Sequence, residues 1–387
     1  MMQYNPFEGT KAQARDYQIR ICSKVISMLD GSWVGRDGIK QDPAKSILID
    51  APTGSGKTVM ALAIAQYGAI QGKRIGWVAM RRNLLRQAIE MRDLFAFQIP
   101  DMKLISMFDK NPPRDVDWLC IDESHHDSTD SMARIHEAIK PEKVIGLSAT
   151  PFRSDRMKLA FEKTVKDVGI NALIQEGWLS KYDHYTIPEY TPLTVTELFQ
   201  KFPDKWGKSI VFFRTMDECV LTNALMNRAG IKSDIVWGGS DREAQIDAFK
   251  AGDLNVLVSM SILAEGFDME DLQTVFIRPS SKLPTIQMCG RVLRLHPGLE
   301  AKQIIQCKDT KYPFIRTAVP RMSYVQIGDQ FRSLSTNADI ESTANWYAQE
   351  ILHAHVVIPD FIIKHKKKSQ KIRHSRRQRR RLTRRHA

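Results

Sequence analysis

No two cysteines of this 387-residue chain stand at C-x-x-C spacing; Cys22, Cys120, Cys219, Cys289 and Cys307 are scattered. Neither a disulfide scaffold nor a cysteine zinc site is expected, and a reducing compartment follows. His125 and His126 have no further His or Cys at ligand spacing, so no zinc is expected there either. No apolar run reaches membrane-spanning length, and Met1-Met2-Gln3-Tyr4-Asn5-Pro6 lacks the pattern of a secretory signal. The expectation is a soluble cytoplasmic protein without membrane contact. The charge is unevenly placed. Residues 364–387 hold 13 Lys/Arg and no Asp or Glu, which accounts for the whole net charge of +13 and leaves the body formally neutral. That tail also lacks Phe, Tyr and Trp, so it would meet nucleic acid through charge and not by stacking on bases.

What the chain does have is Ala51-Pro52-Thr53-Gly54-Ser55-Gly56-Lys57-Thr58. An apolar run, Ile47-Leu48-Ile49, leads into it, and the small and apolar Val59–Ala65 follows. A strand, a glycine turn and a helix in that order form a phosphate-binding loop. Its backbone N–H groups, Thr53 to Gly56, would surround the phosphates at the positive end of the helix. Lys57 would reach the β- and γ-phosphates and the Thr58 hydroxyl would ligate Mg²⁺. Ala51 stands where the strict pattern has its first glycine.

Downstream, the short apolar strand Trp118–Ile121 ends in Asp122-Glu123. Beside a phosphate loop such a pair supplies a carboxylate for Mg²⁺ and a second to orient and deprotonate water. Val144–Leu147 is another buried strand, ending in Ser148-Ala149-Thr150. Strands alternating with helices over 46–150 predict a parallel sheet with its ligands at the carboxyl ends of the strands. The pattern restarts at Ser209–Phe213 and runs to a last expected strand at Gln303–Gln306, with no second phosphate loop. In this half Gln287, Arg291 and Arg294 are spaced to share one face of a helix and to reach across a cleft to a γ-phosphate. Residues 155–205 contain Pro188, Pro192 and Pro203 and read as a connector; Ser342–Ala354 reads as a packing helix.

Together these residues resemble a superfamily 2 DExH-box helicase core, from about Arg15 to Gln306. Arg15-Asp16-Tyr17-Gln18 is similar to the adenine-reading Q motif, Ala51–Thr58 to motif I and Asp122-Glu123-Ser124-His125 to motif II. Ser148-Ala149-Thr150 is similar to motif III, Ile210–Arg214 to motif IV, Gly266-Phe267-Asp268 to motif V and Gln287–Arg294 to motif VI. The resemblance implies two tandem RecA-like parallel-sheet α/β domains with ATP and Mg²⁺ in the cleft between them. It implies Lys57, Asp122, Glu123, Arg291 and Arg294 as catalytic residues, with Thr58 and Asp122 holding the metal. Arg15, Gln18, Thr53, Gly54, Ser55, Gly56, Gly266, Asp268 and Gln287 would bind the nucleotide. Arg82 and Gln87, matching motif Ia, would touch nucleic acid with Ser148 and Thr150.

The expected division is 1–155 for the first domain, 156–205 connector, 206–310 second domain, 311–363 a helical segment and 364–387 a disordered basic tether. Ser148–Arg153 with Gly266–Asp268 looks most like RadD-type and phage-encoded DNA helicases of recombination and repair, which suggests a bacterial or phage-infected cell. The expected function is an ATP-dependent DNA helicase or translocase. An RNA helicase, or an ATP switch that binds nucleic acid without unwinding, stays open beside it.

Overall fold

The computed structural model describes residues 5–35, 37–124, 130–149, 159–260 and 269–334. Two compact units divide the chain, Met1–Arg332 and Ser333–Ala387, and the described residues fall almost wholly in the first. The expected tail, the helix at 342–354, Thr150, Gly266 and Asp268 lie outside the described residues.

The first unit holds two sheets, one wholly and one mainly parallel. One is built from β1 (Ser46–Asp50), β2 (Ile75–Ala79), β3 (Lys103–Ser106), β4 (Trp118–Ile121), β5 (Lys143–Ser148) and β6 (Lys163–Val165), in the order β3-β2-β4-β5-β1-β6. Every pairing in it is parallel. Its inner strands are near-continuous apolar runs because α1 (Asp16–Leu29), α2 (Lys57–Ile70), α3 (Arg82–Leu94) and α4 (Asp130–Ile139) cover it. The small side chains of Ala61, Ala63 and Ala65 let the middle of α2, Met60 to Gln66, sit fully buried against the sheet.

The second sheet runs β14-β13-β7-β12-β11-β8-β10-β9. Its strands are β7 (Tyr182–Ile187), β8 (Ser209–Phe212), β9 (Ser233–Ile235), β10 (Val256–Ser259), β11 (Thr274–Ile277), β12 (Lys302–Cys307), β13 (Met322–Ile327) and β14 (Gln330–Ser333). Its helices are α5 (Ile170–Gln175), α6 (Pro192–Lys201), α7 (Met216–Arg228), α8 (Arg242–Ala251) and α9 (Lys282–Cys289). Thr215 and Glu218 form a capping box at the start of α7, and the Asp241 carboxylate accepts from Ala244 N–H at the start of α8. One apolar cluster runs from Ile47 and Met60 through Leu173 and Leu179 to Tyr182, Ile210 and Phe212, so the two sheets share a core.

Two expected boundaries are corrected. Residues 170–201 are no connector: β7 pairs with both β12 and β13, and Val195 and Leu198 of α6 are fully buried. Its polar residues disguise the strand, since Asp183 takes a two-pronged ion pair from Arg321 at 2.9 and 2.7 Å and His184 bonds Gln306. Residues 311–334 are not helical beyond one 3-10 turn at Phe314–Arg316; β13 and β14 make a hairpin through Gly328 and Asp329. Lys205 lies under the hairpin, with its Nζ over the rings of Tyr185, Phe202, Trp206, Tyr324 and Phe331 at 4.7–5.8 Å.

Candidate active site

The phosphate loop turns between β1 and α2. Gly54 and Gly56 hold φ of +81° and +77°, which a side chain would strain. Both positions are also crowded: a Cβ on Gly54 would meet Leu179 Cδ2 at 2.8 Å, and one on Gly56 would meet Gln18 Nε2 at 2.5 Å. Ala51 replaces a glycine without penalty because it still belongs to the sheet, its N–H donating to Ser148 O at 3.1 Å.

Gln18 does more than the sequence implies. Its Nε2 donates to Ser55 O at 2.9 Å and its Oε1 accepts the Arg15 N–H at 3.0 Å. Tyr17, a residue absent from the expected site, donates to the same Ser55 carbonyl at 2.8 Å and accepts from Arg15. Arg15 in turn stacks over Trp178 at 4.6 Å. The Q-motif residues therefore brace the loop from behind. Ser55 is fully buried, with its hydroxyl on Pro52 O, so it shapes the loop by its backbone.

A cleft of about 640 Å³ opens on this loop. It is lined by Arg15, Gln18, Thr53, Gly54, Gly56, Lys57 and Thr58, by Asp122 and Glu123, and by Arg291 and Arg294 of the second sheet's half. Asp122 follows β4, its N–H still bonded to Val78 O, and its Oδ1 accepts the Glu123 N–H at 2.9 Å. Glu123 is held at φ +48°, a left-handed conformation that is strained for a side-chain-bearing residue. Burial lowers the pKa of Lys57; Glu123 and Asp122 oppose that shift and Arg291 and Arg294 add to it. Groups from both sheets thus sense one lysine. The cleft also includes residues that sequence reasoning missed: Lys11 to Gln13, Phe95 and Glu270. Lys11 is fixed there by its N–H on Phe95 O, a long-range contact with no local pattern to announce it.

The expected helical face of Gln287, Arg291 and Arg294 is corrected. Helix α9 ends at Cys289, so both arginines reach the cleft from the turn beyond it and Gln287 is not among the cleft's lining residues. Gly290 carries the turn against Thr53, where a Cβ would come within 3.2 Å. The Leu293 carbonyl accepts the Ser180 N–H at 2.8 Å.

Of the expected nucleic-acid residues, Arg82 and Gln87 part company. Gln87 lines the nucleotide cleft with Leu84 and Met91, while Arg82 faces a separate groove with Arg86, Leu104 and Phe108. Ser148 is fully buried and its carbonyl supports Ala51, so it presents no surface to a strand.

The donor set suits a magnesium nucleotide. Thr58 and Asp122 give the one hydroxyl and one carboxylate that Mg²⁺ takes when phosphates and water complete its shell. Lys57, Arg291 and Arg294 gather cations at one cleft.

Two family descriptions match in succession: "Type III restriction enzyme, res subunit" at residues 11–105 and 94–153, and "Helicase conserved C-terminal domain" at 193–296. A "51.5 kDa protein" of Lactococcus phage (isolate 7-9) is 22% identical over 61% of this chain and 60% of its own length. The "Putative ATP-dependent helicase IRC3" of Saccharomyces cerevisiae is 28% identical over 52% of this chain and 35% of that protein. The chain thus spans less than two thirds of either relative. Among solved structures, the Type ISP restriction-modification enzyme LlaBIII bound to DNA superposes with TM-score 0.54 at 14% identity, over 79% of this chain and 28% of that one. S. cerevisiae Dbp5 bound to RNA and ADP BeF3 gives 0.51 at 16% identity, over 76% and 88%. At such identities the likeness is one of fold. With both halves matched in order and the motif residues of each meeting at one cleft, the chain belongs to the superfamily 2 helicases.

Proposed function

We propose that the protein is an ATP-driven DNA motor, a helicase or translocase acting in replication, recombination or repair. The observation that carries the reading is the composition of the cleft: Lys57, Asp122 and Glu123 from the first sheet face Arg291 and Arg294 from the second. Hydrolysis of a nucleotide held there, followed by release of the phosphate, removes charge that both halves grip, and a strand lying across them would be stepped as the halves part.

Each residue has a role in this reading. The loop N–H groups and Lys57 hold the phosphates, and Thr58 and Asp122 hold Mg²⁺, which neutralises charge on them. Glu123 takes the proton of the attacking water, and Arg291 and Arg294 stabilise charge on the transferred phosphoryl group. After its two bonds Gln18 keeps one N–H and one lone pair, the complement of an adenine edge.

DNA is favoured by Ser148–Arg153 and Gly266–Asp268, which look most like DNA helicases of recombination and repair, and by the likeness to a restriction-enzyme family. The test is steady-state ATP turnover by the whole chain alone and with single-stranded, duplex or forked DNA or RNA, with Glu123→Gln as the blank. Stimulation by DNA, absent in the blank, supports the motor. Stimulation by RNA alone moves the protein to RNA remodelling, and none by either leaves a nucleotide switch.

A further inference from the structure

Superfamily 2 motors are expected to grip phosphates, yet two large aromatic side chains here stand in solvent at matching places in the two sheets. Phe108 is 56% exposed and follows β3, an edge strand of the first sheet; Trp237 is 49% exposed and follows β9, an edge strand of the second. Both lie just beyond carboxyl ends of parallel strands, the edge on which such sheets bind ligands.

Neither ring hangs on a loose loop. At Phe108 the turn is tied by Asp109 Oδ2 accepting the Ser106 N–H at 2.8 Å and by the Asp109 N–H on Ser106 O at 2.9 Å. At Trp237 the Ser240 hydroxyl accepts the Trp237 N–H at 3.1 Å and reaches Gln245 Oε1 at 2.7 Å. Gln245 is itself held by Asp234 and the Ile235 carbonyl of β9. The indole folds over Gly239, where a Cβ would lie 2.5 Å from the ring. One part of the ring system is thus covered by glycine while the rest faces water.

The surroundings name the ligand. Phe108 borders an open groove of about 660 Å³ whose rim carries Arg82 and Arg86, the latter only loosely paired with Glu90 at 3.6 Å. A fixed apolar ring beside exposed guanidinium groups matches a base flanked by its phosphates. On the second sheet the exposed Arg214 follows β8, two strands from β9.

We propose that Phe108 and Trp237 are stacking points for the bases of a single nucleic-acid strand, one on each half of the motor. The inference rests on the motor reading and adds to it a base-dependent grip. Paired bases hide their faces in the helix stack, so the two points select single strands. Stacking accepts any base, so they set no sequence.

The experiment compares the full chain's affinity for oligo-dT with that for an abasic strand of equal length, by fluorescence anisotropy across a salt series. The expected result is a preference for oligo-dT of roughly 10- to 100-fold. Phe108→Ala and Trp237→Ala should each remove about tenfold of it with the slope against log salt unchanged, because phosphate contacts remain. Phe108→Tyr and Trp237→Phe keep a ring and should retain it. Equal binding of both strands by the wild-type chain overturns the stacking points and leaves the motor standing; binding of neither strand overturns both.

Discussion

The two sheets are built alike and equipped differently. The first ends β1 in a glycine turn and β4 in Asp122-Glu123, so the groups proposed to hold the phosphates and activate water sit on it. Among the described residues the second has no such turn after a strand, and it contributes cations from beyond α9, with Glu270 beside them. In the proposed mechanism hydrolysis depends on the halves being together, since neither sheet carries the full set. Where they touch the fit is close: Gly290 lies against the Thr53 side chain and Leu179 against Gly54, over the apolar core that both sheets share. A fold repeated twice thus becomes a machine through unequal loops.

The sharpest way to break this division is at the arginines. If the second half acts on charge that develops during transfer, Arg291→Ala or Arg294→Ala should lower kcat by about 10³-fold or more while nucleotide affinity changes little. Single-turnover kinetics with a nucleotide-binding titration will decide, and a parallel loss of affinity would show that the arginines only hold the nucleotide. Glu123→Gln comes next, with a loss of about 10²- to 10⁴-fold in turnover and retained ATP binding. Because Glu123 sits at φ +48°, Glu123→Gly should raise stability relative to Glu123→Gln, which thermal melting would show.

How much of this was legible beforehand follows from where the information lies in the chain. The phosphate loop and Asp122-Glu123 were readable because strand, turn and chemistry are consecutive. Arg291 and Arg294 were readable as residues but not as geometry, since their spacing suits a helix that Gly290 ends. Strand β7 was missed because Tyr182-Asp183-His184-Tyr185 has no apolar run; Arg321 and Gln306, more than a hundred residues away, make its polar side chains fit a sheet. The motif around Gln87 fixes a sequence and not a surface; the packing of α3 places Gln87 at the cleft.

A third, smaller effect tests how the second half holds its loops. Lys302, fully buried at the start of β12, donates from Nζ to the carbonyls of Glu270 and Leu272, at 2.5 and 2.7 Å. Burial pushes its pKa down to about 8, against the pull of Asp271 and Glu270. A lysine whose folded value is depressed carries its penalty in full below pH 8. Between about 8 and 10.5 the unfolded chain binds more protons, so stability rises with pH. Wild type should therefore gain on Lys302→Met by on the order of 2 kcal/mol between about pH 7 and pH 10. Urea denaturation of both at each pH measures it, and a constant difference would mean that Lys302 does not titrate in this window.

The smallest effect concerns the hairpin β13–β14, which extends the second sheet beyond β7. Five rings surround Lys205 Nζ, and two of them, Tyr324 and Phe331, belong to the hairpin. Tyr324 also stacks on Tyr185 at 4.7 Å, and Lys201 reaches Asp329 in the turn at 2.6 Å. The ion pair is exposed and contributes little. The rings are the stronger tie, because burial strengthens attraction between a cation and ring faces even as it lowers the lysine's pKa. Lys205→Met keeps the length and packs its sulfur on the same rings, so the loss isolates the charge and should be about 1 kcal/mol. If the hairpin is an addition to the sheet, hydrogen exchange will quicken at 322–333 and stay unchanged in β8 and β10. If exchange quickens throughout the sheet, the hairpin is part of the second half's cooperative core, and that half needs the added strands to hold β8 and β10.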